Sequence, residues 1–166
     1  MNAGPRIEAL RRDHKVDAFE CGQPELDRFL VRYAFQAQQA NASRTYVGLS
    51  NDTVVGYHTL VVGEVVHEQA PDRLKKGLAR YPVPLMVLAR LAVHREWQGR
   101  GIGAGLLRDA MDRTVHAAEI AGIRALAVHA KNEAAASFYA RFGFLPSPVD
   151  PRHMYLLLKD IVRMRR

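Results

Sequence analysis

The sequence predicts an α/β fold of the α+β kind, a mixed β-sheet with helices packed on it, and three observations carry that prediction. Helical and β periodicities alternate along the chain, so strands and helices interleave. The run "LMVLARLAVH", residues 85–94, is largely apolar without alternation, the pattern of a strand buried on both faces. Directly after it, "HREWQGRGIGAGLL", residues 94–107, crowds glycines between that strand and an apolar helical pattern. At 166 residues, 48% of them hydrophobic, the chain can bury one sizeable core, and a single domain over residues 1–166 is expected.

The elements follow in order. "CGQPELDRFLVRYAFQAQQA" places Pro24 near a helix start and puts Leu26, Phe29, Leu30, Tyr33 and Ala37 on one face, which predicts a first helix. "RTYVGL" and "TVVGYHTLVVGEVV" are β-branched and aromatic runs separated by the turn pair Asn51 and Asp52, so they read as an antiparallel hairpin. The Pro-containing loop "QAPDRLKKGLARYPVP" leads into the apolar strand and the glycine stretch. A helix over about residues 103–121, a strand "IRALAVHA", a short helix "NEAAASFYARF" ending at Gly143 and a last strand near "HMYLLLKDI" complete the chain.

Composition narrows the function classes. Cys21 is the only cysteine, so no intrachain disulfide forms, and the seven histidines show no H-x-x-x-H cluster. A reducing cytoplasm and no bound metal are expected. "MNAGPRIEALRRDHKVDAF" lacks a continuous apolar run, and no stretch approaches the roughly 20 apolar residues that span a bilayer, so neither export nor membrane association is expected. The net charge is +7, and its location is informative. Residues 73–108 carry Arg73, Lys75, Lys76, Arg80, Arg90, Arg95, Arg100 and Arg108 against Glu96 alone, while charges elsewhere cancel. Such a segment attracts polyanions and phosphorylated cofactors, although each residue taken singly also reads as ordinary solvated surface.

Glycines after a strand and at a helix start let successive backbone N–H groups point outward together, and the helix dipole favours an anion there. Gly99, Gly101 and Gly103 would so cradle a phosphate; the other reading is a tight turn with close helix-to-strand packing. No G-K-[ST] follows, which excludes a Walker loop. Gly99, Gly101 and Ala104 fit G-x-G-x-x-A, but Ala130, Lys131 and Asn132 stand where a dinucleotide fold places its ribose-binding acid.

The pattern Q/R-x-x-G-x-G/A, here Gln98, Gly101 and Gly103 in "QGRGIG", resembles the pyrophosphate loop of the GCN5-related N-acetyltransferase (GNAT) family. "NEAAASFYARFGF" is similar to that family's following N-x-x-A-x-x-F-Y-x-x-x-G-F element. The resemblance implies a GNAT fold in which a splayed parallel strand pair holds acetyl-CoA, without a metal. It implies that main-chain groups of Leu91, Ala92 and Val93 hold the acetyl and pantetheine part, and that Gln98, Gly99, Arg100, Gly101, Ile102, Gly103 and Ala104 take the pyrophosphate. Asn132 and Phe138 would contribute to the cofactor site, with Asn132 on the pantetheine arm, and Tyr139 would stand near the sulfur as general acid. Read without the family, Asn132 is an N-cap with Glu133 in the first helical turn. Tyr139, sharing a face with Ala135, Phe138 and Phe142, is then a core aromatic.

The chemistry accommodates a tyrosine. Amine attack on a thioester makes an oxyanion and then expels a thiolate, which leaves more readily once a positioned acid protonates it. A phenol with a pKa of about 10 holds that proton at neutral pH. A lysine amine near pKa 10.4 is only about 0.1% neutral at pH 7.5, whereas an α-amine near 7.8 is about a third neutral. A lysine substrate therefore needs a strong base, yet no acidic residue lies between Asp72 and Glu96; Glu64 and Glu68 are the remaining candidates. An α-amine on an anionic carrier suits the chain better.

"FECGQPELDRFLVRYAFQAQQANASRTYVGL", "VGYHTL", "YPVPLMVLARLAVHREWQGRGIG" and "FYARFGFLPSPVDPRHMYLLLKDI" resemble the GNAT toxins of bacterial type II toxin–antitoxin pairs. That resemblance implies acetylation of the α-amine of aminoacyl-tRNA, a block of translation, neutralisation by a DNA-binding ribbon-helix-helix antitoxin, and a homodimer. Arg90, Arg44, Lys75, Lys76 and Arg80 are the candidates for the RNA phosphates, and binding through them would weaken steeply with salt. A GNAT enzyme acting on a protein or small-molecule amine is the enzyme alternative, and a non-enzymatic basic RNA-binding domain the remote one. "VRMRR" at the C-terminus reads equally as a basic tail or an RNA contact.

Overall fold

The computed structural model describes residues 5–165; Met1 to Gly4 and Arg166, the last residue of the basic "VRMRR" segment, lie outside the described residues. Seven strands form a mixed sheet in the order β1-β2-β3-β4-β5-β7-β6. The strands are β1 (Arg6–Ala9), β2 (Arg44–Ser50), β3 (Thr53–Val65), β4 (Val83–Val93), β5 (Ala125–His129), β6 (Leu145–Pro146) and β7 (His153–Leu157). The helices are α1 (Pro24–Arg28), α2 (Ala34–Gln39), α3 (Asp72–Lys75), α4 (Ile102–Ala118), α5 (Glu133–Arg141) and α6 (Leu158–Met164). Among the described residues no helix is long and apolar enough to cross a membrane. The chain divides into two compact units, one of residues up to Val61 with Ala89–Ala110, the other of Val62–Leu88 with Met111 onward.

In the first unit, β1, β2 and β3 pair antiparallel, from Arg6↔Leu49 to Ala9↔Tyr46 and from Arg44↔Leu60 to Ser50↔Thr53. The turn between β2 and β3 carries Asn51 at φ 54, a left-handed conformation that Asn tolerates. Gly48 pairs with Gly56 and Leu49 with Val54, so Val55 is one residue too many on its strand. This bulge sends Val55 to the opposite face from Val54 and Tyr57. Val54 and Tyr57 join a core of Leu10, Phe19, Leu30, Ala34 and Val47, while Val55 packs with Ile102 and Leu106 of α4. The paired glycines let α4 come close: a Cβ on Gly56 would lie 2.8 Å from Leu106 Cδ1 and 2.9 Å from the Ala92 carbonyl.

The first predicted helix exists with one correction. A π-helical turn, Phe29–Tyr33, sits between α1 and α2 and inserts a residue into the helical count. The buried stripe therefore moves from Tyr33 and Ala37 to Ala34 and Gln38: Tyr33 is 51% exposed and Ala34 is 0%. The buried Gln38 amide is satisfied on both sides, donating to the Leu10 carbonyl at 2.8 Å and accepting from the Thr45 N–H at 3.0 Å. On the other side of the unit the fully buried His58 ring meets Asp109 of α4 at 2.8 Å.

In the second unit, β4 and β5 pair in parallel from Leu85↔Ala125 to Leu88↔Val128, and the ladder stops there although β4 continues to Val93. Burial on both faces of the apolar strand holds over Leu85, Met86 and Leu88 and ends at the exposed Ala89. β5 and β7 are antiparallel from Ala125↔Leu157 to His129↔His153, and β6 caps the edge of β7. Val65, Ala70, Leu74, Val83, Leu85, Tyr155 and Leu157 form the core. The last predicted strand is shorter than expected: it ends at Leu157 and the chain turns into α6, whose Asp160 accepts two bonds from Arg73 at 3.0 and 3.2 Å. The loop that the sequence left irregular holds the short α3, pinned through its Leu74 and Lys76 carbonyls by the Arg124 guanidinium. The strands β1 and β6, with four and two residues, are too short to leave a periodic signal.

Candidate active site

The first unit carries the glycine turn. β4 ends at Val93, His94 to Trp97 close a 3-10 turn, and α4 begins at Ile102. Between them Gly99 and Gly101 hold φ of 79° and 84°, the left-handed region that excludes most side chains without strain. A Cβ at either position would meet nothing within 4 Å, so the glycines serve the backbone path and leave open space beside it. The turn opens a helix of 17 residues with no acid in its first turn, which keeps the positive end of the dipole uncancelled. Arg100, its guanidinium 4.7 Å over the Trp97 ring, adds a cation at the same place.

Gln98 has a specific task in that turn. Its side-chain amide donates to the Val93 carbonyl at 2.9 Å and the Cys21 carbonyl at 3.0 Å, so it clamps the loop to the strand end and to the segment before α1. The Cys21 N–H in turn donates to Asp27 Oδ1 at 2.9 Å, and the Leu26 carbonyl accepts the Tyr57 hydroxyl at 2.7 Å. These bonds give "CGQPELD" a physical meaning: it braces the glycine turn through Gln98. The link from Gln98 to Cys21 was not legible in the sequence, because 77 residues separate the partners. Ala92 is buried in the core with Tyr57, whereas Leu91 and Val93 point to the α4 side.

The second unit carries α5. Asn132 caps it by accepting from the Ala135 N–H at 2.8 Å, so the capping expectation holds while its amide NH₂ stays on the surface. Tyr139 is 7% exposed, with ring centroids 5.2 Å from Phe138 and 5.3 Å from Phe144. Burial pushes its phenol up to about 12, so it keeps its proton far above neutral pH.

The five cationic candidates divide. Arg90 lies 3.6 Å over the Phe29 ring and is half-buried, so its charge is already partnered by an aromatic face. Arg44 is exposed and donates to Asn41 at 3.2 Å. Lys75, Lys76 and Arg80 cluster on one segment; Lys75 lies 3.9 Å from Asp72, and Lys76 and Arg80 are exposed. Glu64 and Glu68 are exposed too. Among the described residues one group brings metal-ligating atoms together, His129, Asp150 and His153, which no sequence spacing announced.

The chain matches the model of the acetyltransferase (GNAT) family over residues 7–144. It is 44% identical over 145 residues to the tRNA-acetylating toxin of Mycobacterium tuberculosis (strain ATCC 25618 / H37Rv), covering 87% of either chain. Its fold superposes on AtaT complexed with acetyl-methionyl-tRNAfMet with a TM-score of 0.90, at 29% identity over 97% of this chain and 99% of that one. A Tyr→Phe mutant of AtaT, bound to the C-terminus of the antitoxin AtaR and acetyl-CoA, matches with a TM-score of 0.80 and 30% identity over 96% of each chain.

Proposed function

The chain belongs to the acetyltransferase (GNAT) family, and from that premise we propose that it moves the acetyl group of acetyl-CoA to the α-amine of aminoacyl-tRNA, blocking translation as the toxin of a toxin–antitoxin pair. The likeness to the tRNA-acetylating toxin along most of both chains carries this reading. The family match runs through both compact units, which supports treating residues 1–166 as one catalytic domain. The turn at Gly99 and Gly101 fits a pyrophosphate: it offers backbone donors, a dipole, a cation and open space where a side chain would stand.

Acetyl-CoA supplies an activated acyl group as its thioester. In this reading the N–H groups of Gln98 to Ala104 bind the pyrophosphate, and main-chain groups of Leu91, Ala92 and Val93 orient the acyl arm. Asn132 and Phe138 are assigned to the same cofactor. Tyr139 donates its phenolic proton to the departing sulfur, a role supported by its raised pKa, which keeps the acid form present at working pH. That AtaT was solved as a Tyr→Phe mutant is in keeping with a tyrosine acid. No base is required for an α-amine already about a third neutral. Lys75, Lys76, Arg80 and Arg44 engage RNA phosphates, and Arg90 orients the acceptor end from its place over Phe29.

The same reading gives the chain a ribbon-helix-helix antitoxin, a homodimeric assembly and a cytoplasmic site of action, where charged tRNA is found. The test is chemical. Charged tRNA treated with the protein and acetyl-CoA is hydrolysed at its ester and the released amino acid is weighed. An α-N-acetyl amino acid is expected; unmodified amino acid, with the acetyl group found instead on protein lysines, would overturn the tRNA assignment and leave the family standing.

A further inference from the structure

We propose that His129, Asp150 and His153 form a binding site for a divalent transition-metal ion of the zinc class, one that fastens the β6–β7 connection to the end of β5. His129 and His153 stand directly opposite each other on antiparallel strands. Their imidazoles stack with centroids 4.2 Å apart and planes within 9°. Asp150 comes from the β6–β7 connection, its Oδ2 3.5 Å from His153 Nε2. One ligand atom from each of the three lies within 4.8 Å of the others. Zinc bonds of about 2.0–2.2 Å to nitrogen and oxygen require the two stacked imidazoles to turn so that one nitrogen of each faces a common point beside Asp150.

The backbone under these ligands is already fixed. The Asp150 carbonyl accepts the His153 N–H at 3.0 Å, and Asp150 Oδ1 accepts the Arg152 N–H at 3.0 Å. Arg152 joins the two connections: its carbonyl accepts the Ala130 N–H at 2.8 Å and its guanidinium donates to the Lys131 carbonyl at 2.9 Å. An ion would therefore meet an arranged donor set, and its binding energy would not be spent on folding a loop.

The donors choose the ion. Two imidazole nitrogens and one carboxylate oxygen suit zinc, nickel or copper, whereas magnesium and calcium prefer all-oxygen shells. Three protein ligands leave a coordination position for water. The cavity of about 560 Å³ that these residues line, with Glu64, Val66 and Leu85 on its other walls, gives that water room. None of the three has a part in the acetyl transfer described above. Occupancy would instead stiffen the β5–α5 connection, which carries Asn132 and leads into the helix of Tyr139.

The experiment uses the untagged full chain, stripped of metal and titrated with Co²⁺ and then Zn²⁺. One equivalent of Co²⁺ is expected to bind with ligand-field absorption distinct from the aqua ion, to be displaced by Zn²⁺, and to raise Tm. His129→Ala and His153→Ala should each weaken binding by more than about tenfold. Asp150→Asn, which keeps the side chain's shape, should weaken it less. Both histidines are exposed, so the metal-free variants should melt with the wild type. No uptake by the wild type, or uptake unchanged in the His129→Ala, His153→Ala double variant, overturns the proposal. These readouts do not involve acetyl transfer, so the failure of either reading leaves the other intact.

Discussion

Under the proposed function Tyr139 serves two purposes with one side chain. Its ring fills the space between Phe138 and Phe144, and the burial that this requires is what raises its pKa to about 12. A core aromatic and a proton donor are therefore compatible descriptions of the same residue. Tyr139→Phe keeps the ring and removes the proton, so kcat should fall by about 10²- to 10⁴-fold with acetyl-CoA affinity nearly unchanged, as steady-state kinetics would read. The raised pKa also fixes a sign for stability. The neutral phenol is favoured in the folded state, so its contribution is complete below the ordinary value of 10.0 and is lost as pH rises towards about 12. Denaturant midpoints of the wild type should drop across that window, and those of Tyr139→Phe should drop less. Gly101 makes a second residue-scale case: at φ 84°, Gly101→Ala adds strain of about 1–2 kcal/mol and should raise KM for acetyl-CoA with little change in kcat.

At the scale of elements, the helix before β2 carries a register that its sequence does not reveal. Periodicity places Tyr33 and Ala37 inward, and the π turn at Phe29–Tyr33 turns Ala34 and Gln38 inward instead. Leu30→Ala should therefore cost about 2–5 kcal/mol in chemical denaturation, while Tyr33→Ala should stay within about 0.5 kcal/mol. The glycine turn was legible because its positive φ values require glycine and because a strand and a helix flank it in the chain. The Val55 bulge, the clamp from Gln98 to Cys21 and the pair His129 and His153 were not. Each depends on a register or a contact between segments far apart in sequence, which local periodicity cannot encode. Gly56 belongs with them: it reads as a weak point in a strand, yet it makes room for Leu106 of α4. Gly56→Ala should cost about 1–3 kcal/mol by overpacking, measured in the same denaturation series.

At the scale of the whole molecule, the net charge of +7 is a statement about the partner. Residues 73–108 hold the excess; Arg73 is engaged by Asp160, Arg90 by Phe29, Arg95 by Glu20 and Arg100 by Trp97, while Lys76 and Arg80 are exposed and Lys75 meets Asp72 only at 3.9 Å, so these three make the cluster proposed for phosphates. Replacing those three by alanine should flatten the salt dependence of tRNA binding by about one unit of log–log slope per lost phosphate contact and leave acetyl-CoA binding unchanged. Phosphate attraction gives affinity for any RNA, so it cannot by itself select charged tRNA; under the proposed function selection lies in the chemistry, because the aminoacyl end presents a nucleophilic aliphatic amine and the delocalised amino groups of the bases do not. The most direct test of that claim is transfer of labelled acetyl from acetyl-CoA to total aminoacylated tRNA, run beside deacylated tRNA and beside the Tyr139→Phe protein. Label on charged tRNA alone, falling steeply with the variant, is the predicted result. Equal label on both RNAs, or none on either from a protein that binds acetyl-CoA, would contradict it.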